Sequence, residues 1–199
     1  MTAKPERLIV GISGASGTIL GIRVLQLLQP TPIETHLVIS KAASLTISSE
    51  TDTTVENIRS LADVTYPATD ISAAISSGSY KTRGMIIAPC SIKTMGEISS
   101  GITSNLLSRA ADVVLKERRR LVLMLREAPL HAGHLKQALA VTEMGAIVSP
   151  PVPAFYAQPK NIDEMVTQMA ARSLDLFDID GINLKRWGED IDMTGDIDG

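Results

Sequence analysis

The chain is poor in aromatic side chains: they make up 3% of its 199 residues, as one Trp, three Tyr and two Phe. Tyr156, after a proline-rich turn, and Trp187, near the C-terminus, therefore stand out. Cysteine is scarcer still. A lone Cys90 excludes an intrachain disulfide and fits a reducing compartment. Three scattered His and one Cys make no metal-ligand cluster, so no metal site is expected. Basic residues are not in excess, the formal net charge being -3, which removes the electrostatic reason to expect nucleic acid or an anionic membrane surface as partner. No window approaches the roughly 20 apolar residues of a membrane span. The first residues, MTAKPERLIV, put charge before a very short apolar run with no cleavage pattern, so no signal peptide is expected. These absences predict a soluble, cytoplasmic protein. With 44% hydrophobic and 21% charged residues, the length suits one domain with a sizeable core.

The most informative stretch is Leu8 to Leu28, LIVGISGASGTILGIRVLQLL. Leu8-Ile9-Val10 has the length and branching of a buried strand. Gly11, Gly14 and Gly17 follow, with Ala15 and Ser16 between the last two. Ile19, Ile22, Leu25 and Leu28 then fall on one helical face. Strand, small-residue loop and helix make an anion site in α/β proteins. Glycines let a ligand approach the backbone, and free N–H groups at the helix start face a phosphate. A tight turn without a ligand is the plainer reading of the same residues. The spacing is G-x-x-G-x-x-G, not the G-x-G-x-x-G of dinucleotide folds. A dinucleotide site also wants an acid about 20 residues on, at the end of the second strand. Here Thr35 to Ile39 runs into Ser40-Lys41, a hydroxyl and a cation, which suits a mononucleotide such as FMN better than NAD.

Further along, Lys41 to Glu50 is expected to be a helix with Ala42, Leu45 and Ser49 on one side. Thr53-Thr54-Val55-Glu56 reads as a capping box opening a short helix. Val64 to Tyr66 is a strand, and residues 68 to 83 form a polar loop over a cleft. Met85 to Ala88 is a buried strand, and a helix begins near Ser91 to Thr94. Asn105 to Arg118 has the best helical periodicity, with Leu106, Leu107, Ala110, Val113 and Val114 on its apolar face. Strand Leu121 to Leu125, helix Leu130 to Met144, strand Ile147-Val148 and helix Ile162 to Phe177 continue the alternation. Continuous apolar strands alternating with helices predict an α/β, Rossmann-like (flavodoxin-like), doubly wound parallel sheet in a single domain. That domain would span residues 1–187, with 188–199 an acidic, disordered tail. Ligands of such sheets lie outside the carboxyl ends of the strands. There the sequence places Gly14-Ala15-Ser16, Ser40, Pro89-Cys90-Ser91, Arg126-Glu127 and the proline loop with Tyr156.

Arg126-Glu127 ends a buried strand, a costly place for two charges without a ligand or partner. A structural salt bridge would serve equally. Arg109 and Lys116 are two helical turns apart on one face, although Asp112 can pair with Lys116 at i,i+4. Arg172 reads as a surface charge when taken alone. With the anion loop, these cations exceed what one FMN needs. Cys90 has no His near it in sequence and fits a buried position against the ligand better than a nucleophile. His131 and His134 suit packing or surface roles. Tyr156 and Trp187 are packing anchors, or π faces near a phosphate leaving group, where they would stabilise a carbocation.

The set GISGASG, ISKAA with SSETD, SSGS, PCSIKT, RAADVVLKERR, REAP and PPVPAFY, in that order, resembles the UbiX-type flavin prenyltransferases over nearly the whole chain to Trp187. The resemblance implies an enzyme that joins a dimethylallyl group from dimethylallyl phosphate to N5 and C6 of reduced FMN, without a metal. It also implies a dodecamer with sites between subunits, and a UbiD-type decarboxylase that receives the prenylated FMN, commonly for ubiquinone biosynthesis. By motif, Gly14, Ala15, Ser16, Ser40, Ser91, Ile92, Lys93, Thr94 and Arg126 would hold FMN. Arg109, Lys116, Arg126, Tyr156 and Arg172 would hold the allyl phosphate, some from a neighbouring subunit. Ser16 and Glu50 would relay a proton near flavin N5, and Glu127 would act as acid–base. Some members place an aromatic residue over the flavin before SSGS, where this chain has Ile71 or its neighbours. Flavin-dependent cysteine decarboxylases share the first loop but carry a His before the fourth strand. Residues 72–85 here contain none. A non-catalytic flavin carrier or decarboxylase subunit would not require Glu50, Lys116, Glu127 and Tyr156.

Overall fold

In a computed structural model describing residues 5–190, strands and helices alternate along the chain. They are β1 (Arg7–Ile12), α1 (Ile19–Leu28), β2 (Glu34–Ile39), α2 (Lys41–Glu50), α3 (Val55–Arg59), β3 (Val64–Pro67), β4 (Gly84–Cys90), α4 (Ile92–Ser99), α5 (Leu106–Lys116), β5 (Arg120–Leu125), α6 (Ala132–Glu143), β6 (Ala146–Val148) and α7 (Ile162–Asp175). All strand pairings are parallel, in the order β3-β2-β1-β4-β5-β6. Val10 of β1 lies opposite Leu37 of β2 on one side and Ile86 of β4 on the other.

Alternation along β1 sends its side chains into two separate cores. Leu8, Val10 and Ile12 join α1 and α7 through Val24, Leu25, Ala170 and Leu174. Ile9 joins α4, α5 and α6 through Met95, Leu107, Ala110 and Val141. A strand buried on both faces reads as an unbroken apolar run, and this explains the sequence pattern.

Several local expectations shift. Ser40 accepts a hydrogen bond from the Ala43 N–H at 3.1 Å and so sets the phase of α2. Its buried residues are Ala43 and Ile47, and Ala42 and Leu45 instead face outward. The cap of α3 is Thr54, bonded to the Asn57 N–H at 3.1 Å, one residue later than the expected box. Ile19 is exposed rather than in the α1 core stripe. Of the acidic tail, Gly188 to Asp190 form a turn, and residues 191–199 lie outside the described residues. Among the described residues no helix is long and apolar enough to cross a membrane, and no group of His, Cys, Asp or Glu is arranged to hold a metal ion.

Candidate active site

β1 and β4 are neighbours in the sheet, yet the helices that follow them, α1 and α4, lie on opposite faces. The chain therefore parts here and leaves a crevice at the carboxyl ends of the strands. Ser13, which sequence reasoning missed, closes its floor. Its buried hydroxyl donates to the Pro89 carbonyl at 2.7 Å and accepts from the Ser91 N–H at 2.7 Å. Only its place, a short polar residue directly after a buried strand, hinted at this. Ser13→Ala leaves the Ser91 N–H without that partner, at a cost of about 1–3 kcal/mol. It should lower the midpoint of thermal unfolding and weaken flavin binding in a titration.

Two N–H groups at the helix end of the glycine loop are not free, contrary to the expectation from sequence. Glu50, at the end of α2, accepts from the Gly17 N–H at 2.8 Å, the Thr18 N–H at 3.2 Å and the Thr18 hydroxyl at 3.2 Å. Burial works to raise the Glu50 pKa, but these bonds, with one from the Ser16 hydroxyl, outweigh it and hold the carboxyl below its usual range. Gly17 has φ +96°, which only glycine adopts without strain. At Gly14 an added Cβ would lie 2.4 Å from Ala42 Cβ, so the loop can approach α2 only because that atom is missing.

Beside this loop lies a cavity of 580 Å³, with Gly14, Ser40, Leu45, Ser91, Lys93 and Thr94 in its walls. Asn105 and Leu107 complete it, so the first turns of α2, α4 and α5 all converge there. Three positive helix ends with Lys41 and Lys93 suit a phosphate. Ala42, Leu45, Ala68 and Leu107 offer an apolar slot for a flat ring system. The residues present therefore fit FMN. Asn105 was expected only as a helix start, and it is the fully formed cap of α5.

The remaining candidates divide. Ala15 and Ser16 belong to the glycine loop and Ile92 to the first turn of α4. Arg126 reaches the loop: a Cβ at Gly17 would lie 4.0 Å from Arg126 Cγ. Arg126 and Glu127 are both exposed, which corrects the expected burial, because the strand ends at Leu125 and the chain then leaves the sheet. Among the described residues they form no ion pair, and Glu127 accepts there only the Ala128 N–H, at 3.0 Å, from its own loop. Lys116 lies nine residues along α5 from the cavity residue Leu107, about 14 Å at 1.5 Å per residue. It pairs with Glu117 at 2.6 Å. Arg109 pairs with Asp112 at 2.8 Å, not Asp112 with Lys116 as the spacing suggested, and donates to the Ser76 carbonyl. The 68–83 segment is thus pinned to α5, with Ala68 and Thr69 on the cavity wall. Tyr156 and Arg172 line a separate depression with Trp187. Cys90 is fully buried and its thiol is pushed up to about 12 by burial, which disfavours a nucleophile. His131 caps α6 by accepting from the Gly133 N–H at 3.0 Å and stacks on His134.

The Flavoprotein family model matches residues 1–173. Flavin prenyltransferase UbiX of Escherichia coli strain K12 is 57% identical over 175 residues, covering 87% of this chain and 93% of that protein. The chain belongs to the UbiX-type flavin prenyltransferases. Two solved structures of the family are close in backbone. One is AnUbiX (PadA1) in complex with FMN and dimethylallyl pyrophosphate, with a TM-score of 0.90 and 49% identity over 92% of this chain and 98% of that one. The other is the dodecameric FMN-dependent Ubix-like decarboxylase from Escherichia coli O157:H7, with a TM-score of 0.88 and 47% identity over 91% and 98%. Within this UbiX-type fold, Gly14, Ser40, Ser91, Lys93 and Thr94 line one cavity of one chain, whereas Arg109, Lys116, Tyr156 and Arg172 do not line it.

Proposed function

We propose that this protein transfers the dimethylallyl group of an allylic phosphate to N5 and C6 of reduced FMN. The observation that carries this reading is the backbone match, TM-score 0.90, to a relative whose crystal holds FMN together with dimethylallyl pyrophosphate. The cavity at three helix starts supports it independently. Reduced FMN supplies the nucleophilic flavin nitrogen and carbon. Gly14, Ala15, Ser16, Ser40, Ser91, Ile92, Lys93, Thr94 and Arg126 hold and orient it. Ser16, in the loop whose Gly17 and Thr18 amides Glu50 accepts, forms a proton relay with Glu50 at the loop edge. Glu127 serves as acid–base, and the cations Arg109, Lys116 and Arg172 with Tyr156 neutralise the departing phosphate.

Since those four residues lie away from the crevice, the reading requires that copies of the chain complete one another's sites. The assembly we propose is a dodecamer, in line with the dodecameric relative. The prenylated FMN passes to a UbiD-type decarboxylase in the cytoplasm, a location that the lone buried thiol supports. Anaerobic incubation with reduced FMN and either dimethylallyl phosphate or diphosphate, followed by mass analysis of the released flavin, should show a product heavier by one dimethylallyl unit. Unmodified flavin with both donors would overturn the proposal, as would tighter binding of NAD than of FMN.

A further inference from the structure

α7 ends on Asp175, an acid set against the negative end of its own helix dipole, where a carboxylate is disfavoured. Its side chain is only 24% exposed, and two guanidinium groups hold it. Arg186 grips it with both terminal nitrogens, Nη1 lying 3.1 Å from Oδ2 and Nη2 reaching Oδ1. Arg172 Nη1 touches Oδ2 at 3.4 Å. Arg186 does not sit on a loose end. The Lys185 carbonyl before it accepts from Gln168 at 2.9 Å, and Lys185 Nζ donates to the Ala157 carbonyl at 3.0 Å.

These groups line a depression of 230 Å³ with Tyr156 and Trp187, whose rings meet edge to face at 5.3 Å and 77°. Arg172, Lys185 and Arg186 are matched in formal charge by Asp175, by Glu189, whose Oε2 lies 3.9 Å from Arg186 Nε, and by Asp190, which accepts from the Arg186 N–H at 2.8 Å. Arg172 and Arg186 are 56% and 44% exposed, so each keeps N–H donors free for an incoming anion.

We propose that Arg186 is a second phosphate-binding guanidinium of the allyl-donor site, and that Asp175 is the positioning residue that fixes it beside Arg172. The inference rests on the reading above that Arg172 and Tyr156 receive the donor phosphate. Asp175 keeps two like charges adjacent with their outer N–H donors free and tempers their field, so that phosphate binds and is also released.

The test measures, on the full-length protein, the KM for dimethylallyl phosphate, inhibition by inorganic phosphate, FMN affinity and thermal unfolding. Arg186→Gln should weaken phosphate inhibition and raise the donor KM together by about ten- to a hundredfold, the scale of a charged hydrogen bond. FMN affinity should be unchanged, and Arg186→Lys should recover part of the loss. Asp175→Asn should act with the opposite sign on phosphate, which binds more tightly once a negative charge is removed from beside the two guanidiniums. A structural brace would instead make both variants looser in the same direction, or leave phosphate inhibition unmoved, and either result overturns the proposal. Arg172→Gln separates the two levels. If it leaves the donor KM unchanged, the functional reading fails, whereas an effect of Arg172→Gln without one of Arg186→Gln sinks this inference alone.

Discussion

Glu127→Gln is expected to bind FMN as the unsubstituted protein does, yet to form prenylated flavin about 10²–10⁴-fold more slowly, the usual contribution of a general acid–base group. Binding should survive for a geometric reason. The Glu127 side chain holds only the Ala128 N–H of its own loop, and a glutamine oxygen accepts that bond equally well. It forms no ion pair with Arg126, so the substitution strands no buried charge. A carboxylate near two phosphates also repels them, which makes it unfavourable for binding alone. Its presence is explained if a proton must move as the phosphate departs. Single-turnover conversion under anaerobic conditions, with flavin occupancy measured on the same sample, decides the matter. An unchanged rate removes Glu127 from the chemistry, and loss of FMN makes it part of the flavin site.

The second large effect concerns the division of residues between copies. Glu127→Gln and Arg172→Gln are each expected to be nearly inactive alone. Co-expressed so that mixed oligomers form, they should regain activity. Glu127 follows Arg126, whose Cγ lies beside Gly17 of the crevice loop, whereas Arg172 lines the depression with Trp187, which does not include Glu127. If a working site takes them from different copies, some sites in a mixed assembly contain both original residues. If every site is built within one chain, no mixture can contain one. Activity of the doubly tagged complex, with its mass by light scattering, reads the outcome directly. Absence of recovery in a confirmed mixed oligomer would refute shared sites, and a monomer or dimer mass would refute the dodecamer.

Order and layering of the fold were legible because they depend on local patterns. Strands buried on both faces must be continuous apolar runs, and helices announce themselves through side-chain caps such as Asn105 and Asn161. What was hidden depends on groups far apart in the chain. Nothing near Ser13 says that its hydroxyl meets Pro89 and Ser91. Nothing near Glu50 says that it occupies the amides of Gly17 and Thr18. Arg7, Glu34, His36 and Tyr66 likewise form a half-buried polar chain across β1, β2 and β3 that no spacing foretells. The burial expected of Arg126 and Glu127 failed because a strand's apolar run does not show where the chain leaves the sheet. Which charges gather in one place was legible only in part. The crevice residues follow from strand ends, whereas the pairing of Arg172 with Arg186 requires the turn after α7 to fold back.

The Ser13 hydroxyl has a mechanical consequence. It is bonded to both a carbonyl and an N–H of the opposite loop, so the two walls of the crevice are coupled like jaws on a common pin. Neither can swing without breaking two short bonds whose alternative partners lie in solvent. The Ser91 amide should then exchange its hydrogen with water about as slowly as amides of the central strands, despite sitting in a loop. A flavin would meet a socket whose floor is rigid before it arrives, and any give in the site must come from the α2 side and from the copies that close over it.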